Sequence, residues 1–137
     1  MANKKVLLIG IDAFLIDFSS PEFAAFPGLT SEKVEAGMKM TMLKLSELGF
    51  DSDLCWTDFG KTAIQLLTKY LTENRYDYIL IGAGIRMPPN NFMLFENMVN
   101  TIHELAKDSK ICFNTIPTDT MEAILRIDSF NSVAKAL

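Results

Sequence analysis

Two textures of apolar residue alternate along the chain. The first is the uninterrupted run: Val6-Leu7-Leu8-Ile9, Tyr78-Ile79-Leu80-Ile81 and Ile111-Cys112-Phe113 contain no polar position. A strand with one wet face alternates polar and apolar residues, so a run without polar members predicts a strand covered on both faces, as inside a parallel sheet. The second texture is the helical period. Val34, Met38, Met42, Leu45 and Leu48 keep it, as do Ala63, Leu66, Leu67, Tyr70 and Leu71, and again Phe95, Met98, Val99, Ile102 and Leu105. These sets predict helices over 30–48, over 61–73, and from Asn90 or Asn91 onward. Phe50 to Trp56 opens with Asp51-Ser52-Asp53, and that polar start predicts an edge strand.

Local signals mark the boundaries. Thr30 is a good N-cap, Glu32 places a negative charge in the first turn, and Gly49 closes that helix. Gly82 and Gly84 offer the backbone freedom to turn after the third strand, and Pro88-Pro89 stiffens the exit toward the next helix. Asp119 with Glu122 resembles a capping box opening a last helix through about Ile127. Phe130, Val133 and Leu137 keep a helical spacing, so the tail either extends that helix or packs as another. Strand and helix thus alternate four times, which implies an α/β fold: a single domain over 1–137, a Rossmann-like three-layer sandwich whose four-stranded parallel sheet has the order 2-1-3-4.

A chain of 137 residues with 49% apolar and 22% charged residues can build one core without staples. The net charge of -4, with Lys and Arg dispersed, lacks the electrostatic footprint of a nucleic-acid binder. No segment has the roughly 20 apolar residues of a membrane span, and the run after Lys5 reads as a first strand, not a signal peptide. Cys55 and Cys112 sit inside strand patterns without metal spacing, which predicts reduced core residues and a cytoplasmic protein.

In this topology ligands sit at the carboxyl ends of the strands, near the switch point between the first and third. The residues placed there are Asp12, Asp58, Gly82, Gly84, Arg86, Asn114 and Thr115. Arg86 and the glycine backbone suit a phosphate or carboxylate, with Asn114 and Thr115 beside them. Asp12 or Asp58 could accept a proton or a sugar hydroxyl. The plainer alternative pairs Asp12 with Arg86, uses Asp58 to cap the second helix and gives Asn114 to a turn.

Familiar motifs fail on particular residues. Gly82-Ala83-Gly84-Ile85-Arg86-Met87 has Met87 where a dinucleotide fingerprint needs glycine, and Gly60-Lys61-Thr62 has Cys55 where a P-loop needs its first glycine. The aspartate that a receiver domain phosphorylates after its third strand is Gly82 here, and Asp12-Ala13-Phe14-Leu15 replaces the hydroxyl-rich loop of a flavodoxin. No cofactor is specified, and His103 with Glu96 and Asn100 reads as a solvated helix face, not a metal site. Phe14, Phe18, Phe23 and Phe26 crowd a long loop over 13–29, a pattern of binding loops and contact surfaces. The expectation is a binder of a small anionic molecule; the alternative is a non-catalytic protein-interaction or homodimerisation module using that aromatic loop. A four-stranded sheet with helix faces left to cover also predicts a homodimer.

Overall fold

The computed structural model describes residues 3–136. Four parallel strands, β1 (Lys4–Ile11), β2 (Phe50–Thr57), β3 (Tyr78–Ile81) and β4 (Lys110–Phe113), form one sheet in the order β2-β1-β3-β4. The chain is therefore an α/β domain with the topology that its apolar runs predict, and β2 is an edge strand. Successive strand residues point to opposite faces, which divides the core in two. Leu7, Ile9, Ile79 and Ile81 pack under α2 (Ala63–Glu73) and α4 (Phe92–Leu105). Val6, Leu8, Tyr78, Leu80 and Cys112 pack under α1 (Ser31–Glu47) and α5 (Thr120–Ala136). Each fully buried Leu or Ile contributes about 1.5–3 kcal/mol.

The helix ends have local causes. The Thr30 hydroxyl accepts the Lys33 N–H at 3.2 Å, capping α1, and Gly49 closes it with φ +90°, a conformation that costs other residues energy. α2 starts two residues later than its period predicts, because the Asp58 carboxylate gathers the Gly60 and Thr62 N–H groups into a tight turn first. α4 begins after Asn91 and buries Leu94, Met98 and Ile102, whereas Leu105 is left largely exposed. α5 runs past Ile127 to Ala136 as one helix. Its second half is tied to the sheet: Asp128 accepts a hydrogen bond from the Tyr78 hydroxyl at 2.6 Å, and the Asn131 amide donates to that hydroxyl at 3.2 Å.

The stretch after β1 is a long connection with two short 3₁₀ turns, Ala13–Leu15 and Pro21–Phe23. The Phe18 and Phe23 rings meet at 5.0 Å, while Phe14, Leu15 and Phe26 remain exposed. Cys55 and Cys112 are free and buried, and burial pushes both thiols up to about 12, so neither is a ready nucleophile. Among the described residues no helix is long and apolar enough to cross a membrane.

Candidate functional site

Because all four strands run the same way, the connections that leave them converge on one rim. At the end of β1 the Asp12 N–H donates to the Thr57 carbonyl at 2.9 Å, and the Asp12 Oδ1 accepts the Phe14 N–H at 3.0 Å. Asp12 thus caps a 3₁₀ turn and has one carboxylate oxygen committed. At the end of β2 the buried Thr57 hydroxyl donates to the Gly10 carbonyl at 3.3 Å. Asp58 accepts the Thr62 hydroxyl at 2.7 Å, the Thr62 N–H at 2.9 Å and the Gly60 N–H at 3.0 Å. Those bonds, the Thr62 hydroxyl foremost, hold its carboxyl below the usual range, so Asp58 is a weak proton acceptor.

The end of β3 departs from the sequence reading. Gly82 has φ -68° and Gly84 lacks a positive φ as well, so neither is there for backbone freedom. Gly82 serves close approach: its N–H donates to the Ile9 carbonyl at 2.9 Å, and a Cβ would stand 3.1 Å from that same oxygen. A Cβ at Gly84 would meet nothing within 4 Å. Gly82 leads into a single helical turn, α3 (Ala83–Arg86), which contains Gly84 and closes before Pro88-Pro89.

Asn114, at the end of β4, holds that turn in place. Its side-chain oxygen accepts the Ala83 N–H at 2.7 Å, its Nδ2 donates to the Thr120 hydroxyl at 3.1 Å, and its carbonyl accepts Arg86 Nη2 at 2.8 Å. Asn114 and Thr120 are both buried. One residue therefore joins β4, the turn after β3 and the start of α5. Thr115 next to it gives its N–H and hydroxyl to the Asp119 carboxylate. Asp119 is thus directed backward onto its own loop. Burial pushes its carboxyl up, but the bonds from Thr115 and Ile116 outweigh that and hold it low.

Arg86 is half-buried beside Phe113 and Met87. Its guanidinium carbon lies 5.8 Å from the Phe113 ring centroid, and Nη1 contacts the Met87 sulfur at 3.4 Å. The buried Nε has no hydrogen-bond partner. Among the described residues the ion pairs are Lys4–Asp128, Lys5–Asp53 and Lys39–Glu35, so Arg86 does not pair with Asp12 or any other carboxylate. A cation left without a counter-charge in such surroundings can hold an anion.

Gly82, Arg86 and Asn114 are brought together by direct bonds, and Asp12 is joined to the end of β2. No family model, curated protein or solved structure matches the chain. The geometry of the rim is consequently the whole basis for its chemistry. Two concavities lie elsewhere. One, of about 470 Å³, runs between α2 and α4, lined by Ile64, Thr68, Asn97, Thr101 and Leu105. Its threonine hydroxyls donate to the carbonyls of Ile64 and Asn97 in their own helices. The other, of about 350 Å³, flanks the β4 edge, where Arg126 Nη2 donates to the Phe113 carbonyl at 2.7 Å. Sequence reasoning missed Thr120, Arg126 and Asn91, whose amide donates to the Gly84 carbonyl at 3.1 Å. Only the position of Asn91 before a helix gave any signal, and it pointed to a cap.

Proposed function

We propose that this domain binds a small anionic molecule at the carboxyl edge of its sheet, with the Arg86 guanidinium as the anchor. The observation that supports this reading most strongly is the state of Arg86: half-buried, without a carboxylate partner, and with its buried Nε unpaired. Asn114 sets the direction of the guanidinium through its carbonyl. Gly82 and Gly84 belong to the same turn, Thr115 follows Asn114 in the chain, and Asp12, with one carboxylate oxygen free of the Phe14 N–H, is the better placed acceptor should the bound molecule lose a proton. Arg86→Ala should weaken retention by about 1.5–3 kcal/mol, the range for hydrogen bonds to charged groups. Arg86→Lys should not restore it, because a point charge cannot replace the fork. Titration calorimetry with inorganic phosphate and simple carboxylates checks both, and affinities unchanged in Arg86→Ala would remove Arg86 from the site.

A second reading is favoured by the exposure of Phe14, Leu15 and Phe26: a protein-interaction or homodimerisation module with no chemistry, docking through residues 13–29. A thermal-shift screen separates the two, since an anion at about 100 times its dissociation constant adds roughly 2.7 kcal/mol to stability and a docking module shows no response. The buried free thiols fit a reducing, cytoplasmic setting.

A further inference from the structure

We infer that the anion taken by this rim is the headgroup of a molecule with an apolar body, an aliphatic or aromatic monocarboxylate, and not a sugar phosphate or a nucleotide. This rests on the anion-binding reading of Arg86 and narrows it. Recognition of a sugar or nucleotide needs several free donors and acceptors for hydroxyls and ring nitrogens, and apart from one Asp12 carboxylate oxygen most of those at the rim are engaged by the fold itself. Asp58 is bonded to Gly60 and Thr62, the Asn114 amide to Ala83 and Thr120, the Thr115 hydroxyl to Asp119, and the Thr57 hydroxyl to Gly10. The Asn91 amide is turned onto the Gly84 carbonyl.

Charge points the same way. The connections that leave the four strands carry the carboxylates Asp12, Asp17, Glu22, Asp58 and Asp119 against two cations, Lys61 and Arg86. A phosphate with two charges would be repelled by this excess, whereas a single carboxylate on one guanidinium fork is balanced. What the rim does offer is apolar surface. Phe14, Leu15, Phe59, Met87, Phe92 and Met93 leave the carboxyl ends of β1, β2 and β3 or open α4, and each is at least half exposed. Met87 touches the guanidinium itself. Exposed apolar side chains on the connections that leave these strands, one of them in contact with the rim's guanidinium, match a ligand with a single charge and a water-averse body.

Octanoate, acetate and inorganic phosphate, titrated calorimetrically into the whole chain, test this. Octanoate should bind at least about ten-fold tighter than acetate, equivalent to about 1.4 kcal/mol, or about two of its additional methylene groups removed from water. Arg86→Ala should lose octanoate binding. Because that change also removes the contact with Asn114 and could loosen the fold, Met87→Ser with Phe92→Ser is the second variant: both side chains are exposed, so folding should persist while the preference for octanoate over acetate collapses. Phosphate binding as tight as octanoate and dependent on Arg86 would overturn the apolar ligand class and leave the anion site standing. Octanoate binding indifferent to Arg86, or no Arg86-dependent binding of any of the three, would overturn both.

Discussion

Asn114 spends its side chain on joining three elements, the role of a positioning residue in the proposed site. Its amide supplies the acceptor that the first N–H of α3 needs and donates to a buried hydroxyl, so Asn114→Ala leaves two buried polar groups unpaired. A loss of about 1–3 kcal/mol is expected in urea unfolding, with Asn114→Asp milder because a carboxylate still accepts from Ala83 and the Thr120 hydroxyl can reverse to donate. The two glycines next to it should respond in opposite directions. Gly82→Ala drives a Cβ against the Ile9 carbonyl in a central strand and should destabilise. Gly84→Ala, in open space within a helical turn, should stabilise by up to about 1 kcal/mol. Midpoints from the same unfolding experiment decide both, and equal effects would mean that close packing does not distinguish these positions. The sequence alone places Gly82, Arg86 and Asn114 on one rim through topology. It cannot show which atoms meet, because the Asn114 contact with Ala83 spans 31 residues and depends on the register of β3 against β4.

At the level of elements, the segments least ambiguous in sequence are those with no exposed face. β3 reads as a strand from Tyr78-Ile79-Leu80-Ile81 alone, since every member is buried. α5 is ambiguous in sequence, because the helical spacing of Phe130 and Val133 faces outward and its extension is fastened by a tertiary contact instead. Tyr78, Asp128, Asn131 and Lys4 form that contact. Tyr78→Phe leaves the apolar packing intact but deprives Asn131 and Asp128 of a partner, at an expected cost of about 1–3 kcal/mol. The pH dependence follows from the shifts. Burial raises the Asp128 carboxyl, but Lys4 and Tyr78 outweigh it and hold it below its ordinary value. A carboxylate lowered on folding contributes stability above its unfolded value near 3.9, lost as pH falls through the folded one. The Lys4 ammonium is raised, mainly by its bond to Asp128, so its contribution is complete below about 10.4 and disappears as pH rises through the raised value. Tyr78, raised by burial first and by Asp128 second, adds to the same alkaline loss. Asp128→Asn should therefore flatten both limbs of the stability profile, by less than about 1 kcal/mol for the ion pair because it is partly exposed. Profiles unchanged in Asp128→Asn would mean that α5 is fastened by packing alone.

On the scale of the whole molecule, the two helical layers differ in how they meet water. In the α2–α4 layer the exposed large apolar side chains sit at the two ends of α4, Phe92 and Met93 at its start and Leu105 at its end, and its outward face between them carries Glu96, Asn100 and His103. In the α1–α5 layer Met40, Leu43, Phe130 and Val133 point away from the core while Leu45, Ala123 and Ile124 fill it. A helix apolar on more than one side is usually covered on more than one side. If the domain is a homodimer, this layer competes with residues 13–29 as the contact, and the two differ in a measurable way. Sedimentation of the wild-type chain should give twice the mass of one protomer. Phe130→Ser with Val133→Ser should return it to a single protomer that still folds, because both side chains are exposed on the isolated chain, with the unfolding midpoint losing its dependence on protein concentration. If Phe14→Ser with Phe26→Ser does so instead, the aromatic loop is the interface, and a ligand at the rim would then have to compete with the second copy for Phe14 and Leu15. A wild-type mass of one protomer would remove the dimer and leave the rim free for the proposed anionic ligand.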